Sequence, residues 1–360
     1  MNNRIIVVKI GTASLFDCNS NIDYSVISSL ANQIYKLYQT GIKVVLVSSG
    51  AVGLGKFKTK ENPVINNDKI VSKQVYASIG QPILMKEYQK EFDKYSMVVS
   101  QALFTRSDFA DRGKYLNMRQ VLTSMLNNNI IPIINENDVL SPEELDFSDN
   151  DQLAAYVAGM LSAEKLVILT VVDGLYDKNP CDKDAKKFEL IEKIDDEILS
   201  YAQNIKSSMG TGGMLSKLYT ARLIMNLGIS MVIALAKEDD VLLKILNNEN
   251  IGTLFRPSYN PKITGVRRWL TTGAFPKGKI VVSNTITDLI NNGKRASILL
   301  AGVESFTGDF EKGDVVEIRD VLGKQLGYGL VRQSTAQLAS SFNSKERDII
   351  VVHTDYFMVN

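Results

Sequence analysis

The chain has 360 residues, 45% of them hydrophobic, with 41 Lys and Arg against 40 Asp and Glu. That length suits two or three globular domains of ordinary composition. A net charge of +1 supplies no global field for nucleic acid or an anionic membrane, and no apolar run approaches a membrane span. Met1-Asn2-Asn3-Arg4 runs at once into Ile5–Val8, and Lys9 interrupts the apolar stretch too early for a secretory leader. Cys18 and Cys181 lie apart in polar surroundings and read as free thiols of a cytoplasmic protein. One histidine and no cysteine cluster argue against a zinc site.

In chain order, strands are predicted at Ile5–Lys9, Val44–Ser48, Met97–Leu103, Ile130–Ile134, Leu166–Thr170 and Met231–Leu235. Most carry Val and Ile at successive positions, the pattern of a parallel strand buried on both faces. Helices are predicted around 24–39, 70–94, 108–128, 150–163 and 213–228. Asp23 is placed to cap the first, and Gly41 and Gly228 follow two of them as stop signals. The alternation predicts an α/β domain over 1–257, an open, mostly parallel sheet with helices on both faces. Ligands in such sheets bind beyond the carboxyl ends of the strands. Lys9-Ile10-Gly11-Thr12, Ser48-Ser49-Gly50, Asn135-Glu136-Asn137-Asp138 and Thr170 all fall there.

Pro and Gly punctuate 258–276, which reads as a linker, with Arg267-Arg268-Trp269 able to dock on a flanking domain. Short strand-like runs follow at Ile280–Val282, Ser297–Leu300, Val315–Ile318 and Ile349–Val352, so 277–360 reads as a small β-rich domain. It carries 10 Lys and Arg and 10 Asp and Glu, a balance that disfavours tight phosphate-backbone binding.

The segment Gly210-Thr211-Gly212-Gly213-Met214-Leu215-Ser216-Lys217 opens a predicted helix with flexible residues and sets a lysine one turn in. Backbone N–H groups at a helix start and a nearby ammonium suit a nucleotide phosphate. An ordinary solvated helix lysine is the bland alternative for Lys217. Lys9 followed by Gly11-Thr12 points the same way, against a lysine that merely reaches solvent at the strand end. Gly50-Ala51-Val52-Gly53-Leu54-Gly55-Lys56 mimics a phosphate-binding loop, but Phe57 stands where a magnesium-binding hydroxyl is needed. Residues 58–62 are also poor material for the apolar helix that must follow, so the glycines read as room for a substrate beside Ser49. The Asn135–Asp138 cluster and Asp149-Asn150-Asp151 exceed what helix capping needs; they suit a substrate amino group, lysine orientation or magnesium held through water. His353 reads as structural or exposed. A carboxylate acceptor needs no base, because it is already ionised at neutral pH.

These motifs resemble the glutamate 5-kinases of the amino-acid kinase family over nearly the whole chain. The resemblance rests on Val7-Val8-Lys9-Ile10-Gly11-Thr12, Val47–Ala51, Ser72-Lys73-Gln74, Gly80-Gln81, Leu116–Arg119, Ile133–Asp138, Asp149–Asp151 and Gly210–Met214. Gly252–Phe255 and Arg268-Trp269 extend it, and the remainder resembles a PUA domain. The resemblance implies transfer of the ATP γ-phosphoryl group to the side-chain carboxylate of L-glutamate, the first step of proline synthesis. By motif it implies catalytic roles for Lys9, Lys217 and Asp151, the last orienting both lysines. It implies glutamate binding by Ser49, Asp138 and Asn150 with Asp149 beside them. ATP contacts are implied for Lys9, Thr170, Val171, Thr211, Gly212, Gly213, Met214, Leu215, Ser216 and Lys217. It further implies magnesium dependence, proline feedback, a homo-oligomer (dimer or tetramer) and a glutamyl phosphate reductase as candidate partner. Strong RNA binding by the C-terminal domain and membrane association are not expected.

Members of that family commonly have Thr-Asp where this chain has Thr170-Val171. An altered ATP affinity is expected if the carboxylate matters, and none if only the backbone is used. Two other readings share these residues: a related kinase with another acceptor, such as aspartate, acetylglutamate or a nucleoside monophosphate, and an RNA-binding or regulatory protein on a residual kinase fold.

Overall fold

The computed structural model describes residues 4–17, 21–64, 68–141, 149–203, 213–258, 263–273, 276–294, 296–342 and 348–359. The chain divides into two compact units, one of residues 1–108 and 113–261, the other of 109–112 and 262–360.

The first unit runs β1 (Ile5–Ile10), α1 (Thr12–Leu15), α2 (Tyr24–Gln39), β2 (Lys43–Ser48), α3 (Ala51–Lys58), α4 (Lys69–Asp93) and β3 (Val99–Phe104). It continues through α5 (Arg106–Ala110) and α6 (Arg112–Asn127), of which residues 109, 110 and 112 belong to the second unit, then β4 (Ile131–Glu136), α7 (Asn150–Leu161), β5 (Lys165–Thr170) and β6 (Leu190–Ile191). Then come α8 (Asp196–Gln203), α9 (Met214–Asn226), β7 (Ser230–Leu235), α10 (Val241–Leu246) and β8 (Thr253–Phe255). Eight strands form one sheet in the order β3-β4-β2-β1-β5-β7-β8-β6. Every pairing is parallel except β7 with β8. Five of the six predicted strands are buried nearly throughout, β4 completely, while β3 at the sheet edge is not. An interior strand covered by helices on both faces requires this.

β1 sits where the chain order reverses, with β2 on one side and β5 on the other. The crevice at such a point opens beyond the carboxyl ends of the central strands. Ile10, Ser48, Glu136 and Thr170 end those strands. The core beneath is built from Ile6, Val8, Leu30, Ile34, Leu46, Tyr88, Phe92 and Val167, all nearly or wholly inaccessible.

Two local departures from the sequence reading have physical causes. The stretch expected as one helix over 108–128 is two, α5 and α6, with a bend at Asp111. The glycine-rich stretch after Ser49 is the helix α3, and its Gly55 serves packing. A Cβ on Gly55 would lie 1.9 Å from the Tyr76 carbonyl oxygen, and one on Gly80 would lie 1.7 Å from that of Ala51. Only hydrogens at both places let α3 and α4 approach this closely.

The second unit contains α11 (Gly265–Gly273), β9 (Gly278–Val282), α12 (Asn284–Asn291), β10 (Ile298–Leu299), β11 (Val303–Gly308), β12 (Val315–Arg319), β13 (Gln325–Val331), α13 (Thr335–Phe342) and β14 (Ile350–Val359). Its six strands run β10-β14-β13-β12-β9-β11, antiparallel except β9 with β12. Ile280, Val316, Ile318, Leu338, Val351 and Val352 fill its own core. Within this unit the Trp269 indole donates to Phe109 O at 2.8 Å, and the Arg267 guanidinium donates to Thr354 O at 2.8 Å.

Candidate active site

α7 carries the centre of the site. Asp149 begins it in an extended conformation, and its Oδ1 accepts the backbone N–H groups of Asp151 and Gln152 at 2.8 and 3.2 Å. These are donors that a helix start leaves without intrahelical partners. Asp149 Oδ2 accepts the Ser216 hydroxyl at 2.5 Å, which ties the start of α7 to the start of α9. The carboxylate of Asp149 is thus engaged on both oxygens.

Asp151, in the first turn of α7, is completely inaccessible to solvent. Its Oδ1 lies 2.5 Å from Lys9 Nζ and its Oδ2 lies 3.0 Å from Lys217 Nζ. Both lysines are 6% exposed. Burial alone would raise the carboxyl pKa, but the two ammonium charges and their hydrogen bonds outweigh it and hold Asp151 below the usual carboxylate range. Within this buried trio two positive charges face one negative charge. An isolated buried charge is costly, so this arrangement favours an anionic ligand. Gly11 borders the same place: a Cβ there would sit 3.6 Å from Lys9 Nζ.

A second cluster adjoins it. Asn150 Nδ2 donates to Ser49 Oγ at 2.7 Å and to Asn135 Oδ1 at 2.8 Å. Asn135 Oδ1 also accepts the backbone N–H of Glu136 at 2.9 Å, and Asn135 Nδ2 donates to Gln81 Oε1 at 2.9 Å. Ser49 lies between the end of β2 and Gly50, whose φ of +110° turns the chain into α3. Below it, the Ser48 hydroxyl and the Tyr88 phenol share a buried hydrogen bond of 2.8 Å. Asp138, in the turn after β4, pairs with Lys73 of α4 at 3.1 Å.

The structure therefore brings Lys9, Asp151 and Lys217 together, and beside them Ser49 and Asn150. Met214, Leu215 and Ser216 form the first turn of α9 behind Gly213. Thr170 ends β5, and Val171 follows it half exposed. Thr211 and Gly212, with Gly210, lie outside the described residues. Asp173, two residues past Val171, accepts Tyr176 Oη at 2.8 Å and pairs with Lys187 at 3.1 Å. Gln81 and Lys73 carry contacts that sequence spacing alone does not reveal. Their signal was the Ser72-Lys73-Gln74 and Gly80-Gln81 pattern on one helix. His353 belongs to the second unit.

A sheet with a switch point over β1 and a two-lysine, one-carboxylate centre defines a phosphotransferase-type site. A family model described as the amino acid kinase family matches residues 4–235, and one described as the PUA domain matches 278–352. A carbamate kinase from Giardia lamblia bound to AMP-PNP has a similar fold, with a TM-score of 0.54 and 18% identity over 71% of this chain and 99% of that one. A glutamate 5-kinase of Caldanaerobacter subterraneus subsp. tengcongensis is 39% identical over 348 residues, 96% of this chain and 92% of the relative. Glutamate 5-kinase 2 of Bacillus subtilis is 38% identical over 360 residues, 98% and 96% of the two chains. The chain belongs to the glutamate 5-kinases of the amino acid kinase family.

Proposed function

We propose that the protein transfers the γ-phosphoryl group of ATP to the side-chain carboxylate of L-glutamate, giving L-glutamyl 5-phosphate. The observation that carries this reading is the buried Asp151 gripping Lys9 and Lys217 next to the Ser49–Asn150 pocket. Family membership supports the kinase activity and the acceptor.

In the reaction a carboxylate oxygen of glutamate forms a bond to the γ-phosphorus. The bond from that phosphorus to the β–γ bridging oxygen breaks, and the electron pair leaves with ADP. No proton moves, so no general base is required. Charge builds on the transferring group and on the leaving oxygen, and Lys9 and Lys217 are placed to neutralise it. Asp151 holds the two ammonium groups at fixed separation, so little reorganisation accompanies the step. Ser49, Asn150 and Asp138 bind glutamate, and Thr170, Val171 and the start of α9 bind ATP.

Magnesium suits this chemistry as an ion carried on the nucleotide phosphates, largely through water. Among the described residues no group of three or more His, Cys, Asp or Glu side chains is placed to hold a metal, and no step here runs through one. No helix among the described residues is long and apolar enough to cross a membrane. Proline feedback, a homo-oligomer, a cytoplasmic location and delivery of the acyl phosphate to a reductase complete the proposal. Domain limits of 1–257 and 277–360 with a connecting segment belong to it too.

ADP release coupled to glutamate addition, with and without proline, tests the reading, and hydroxylamine should trap the acyl phosphate as a hydroxamate. Activity on aspartate, acetylglutamate or a nucleoside monophosphate without activity on glutamate would overturn it.

A further inference from the structure

The amide groups around Ser49 form a directed chain whose direction is set by one fixed donor. The backbone N–H of Glu136 can only donate, and it points at the Asn135 side chain from 2.9 Å. Asn135 must therefore present its carbonyl oxygen on that side. The same oxygen faces Asn150, so Asn150 must offer its NH2 group, at 2.8 Å. The NH2 of Asn135 points the other way and needs an acceptor, which Gln81 Oε1 supplies at 2.9 Å. Gln81 and Asn135 are both nearly inaccessible, so water does not compete for these bonds.

The consequence falls on Asn150. With its NH2 spent on Asn135 and Ser49, its Oδ1 is left as an acceptor, buried and reached by no donor among the described residues. Ser49 Oγ accepts from Asn150, so its own hydrogen is available to donate. The pocket thus offers one acceptor and one donor to a ligand that brings both an N–H donor and an anionic oxygen, as an α-amino acid does.

We infer that Gln81 is a positioning residue that anchors the Asn135 amide in the orientation dictated by the Glu136 N–H, and through Asn135 holds Asn150 with its Oδ1 left to accept, which favours an acceptor bearing a free ammonium group. This rests on the reading of the site as an amino-acid kinase pocket. Gln81 reaches its place because Gly80 lets α4 lie against the Ala51 carbonyl at the start of α3. Without the Gln81 acceptor, the Asn135 NH2 is left buried with no acceptor on that side, and the hold on Asn135, and through it on Asn150, loosens.

The test compares wild type with Gln81→Met, which keeps length and loses the acceptor, and with Gln81→Glu, which keeps an acceptor in either protonation state. The best amino-acid acceptor of the wild-type enzyme is used throughout. Gln81→Met should raise KM for that acceptor about fivefold to tenfold, the scale of one lost buried hydrogen bond, with KM for ATP within about twofold. Gln81→Glu should restore acceptor KM to within about twofold of wild type. In an Asn135→Ala background Gln81→Met should add nothing further, because the two act in series. A packing role predicts the reverse order, with the apolar Met tolerated and the buried Glu harmful; that order, or additivity in the double variant, overturns the inference. If Gln81→Met fails to fold, the KM of Gln81→Glu decides, and a large rise overturns the inference. Absence of wild-type turnover with glutamate bears on the choice of acceptor alone, since the Gln81 comparison is made with whichever amino acid the enzyme uses.

Discussion

Lys9 Nζ lies 2.5 Å from Asp151 Oδ1, with the carboxylate wholly inaccessible and the lysine nearly so. The second oxygen of the same carboxylate holds Lys217, so a single side chain fixes two cations from β1 and α9. Replacing Asp151 by Asn keeps the shape and leaves two buried ammonium groups without their counter-charge. Breaking a buried pair in this way costs about 3–5 kcal/mol. The pH dependence follows from the depressed carboxyl pKa. Its stabilisation is present above the unfolded carboxyl value of about 3.9 and is lost as pH falls through the lower folded value. The gap in melting temperature between wild type and Asp151→Asn should be flat from about pH 5 to 7 and shrink below about pH 4. A gap that widens on acidification would show that the pair does not hold the carboxylate ionised.

Lys217→Ala is expected to fold and to lose turnover. In the proposed reaction the ammonium acts on charge that develops during transfer, so kcat should fall about 100-fold to 1,000-fold. The KM values for both substrates should change far less. Truncation also leaves Asp151 with Lys9 alone, an intact neutral pair, which is why stability should survive better than in Asp151→Asn. Near-normal kcat in the folded variant would remove Lys217 from the chemistry.

The Asp149–Ser216 hydrogen bond joins two helix starts, and its two ends predict different outcomes. Asp149→Ala removes both the cap of α7 and the tie to α9, and should cost about 1–2 kcal/mol of stability. Ser216→Ala removes only the tie and should leave the melting temperature within a few degrees. It should still raise KM for ATP, because the start of α9 is no longer held. Equal destabilisation by both variants would mean that the tie, and not the cap, carries the stability.

Val171 is 49% exposed, and its side chain has no hydrogen-bonding group. The neighbouring carboxylate, Asp173, is occupied by Tyr176 and Lys187. Val171→Asp should therefore leave KM for ATP within about threefold, the range of a solvent-exposed charge change. A tenfold drop would show that a carboxylate at this position contacts the nucleotide.

Much of the first unit is legible in the sequence because its central strands are apolar on both faces, and polar residues at their ends mark where the crevice opens. Lys9 and Lys217 stand out as charges at strand and helix ends. Asp151 stands out less, since an acidic residue in a first helical turn already has a bland explanation. What brings the three together is a helix, α7, buried almost all round, and burial of that kind is set by the sheet rather than by local pattern. Glycines misled in two places. Gly55 of α3 read as part of a loop and instead sits in a helix against the Tyr76 carbonyl of α4. Gly327 and Gly329 hid β13, where a Cβ on Gly327 would lie 2.0 Å from the Met358 carbonyl oxygen. In both cases a backbone from a distant segment needs the space, which no window of sequence can display.

Gly80 is the place where that kind of packing reaches the site. A Cβ there would come within 1.7 Å of the Ala51 carbonyl oxygen, a backbone atom that cannot swing aside. Gly80→Ala must therefore push α4 away from α3, at a cost of about 1–3 kcal/mol. The shift carries Gln81 away from Asn135 and loosens the Lys73–Asp138 pair on the same helix. The kinetic signature should be a rise in KM for the acceptor well beyond any rise in KM for ATP, since Lys9, Asp151 and Lys217 stand on β1, α7 and α9. Steady-state kinetics of Gly80→Ala beside its melting curve checks both parts. A destabilised variant with both KM values unchanged would separate the α3–α4 contact from the acceptor pocket.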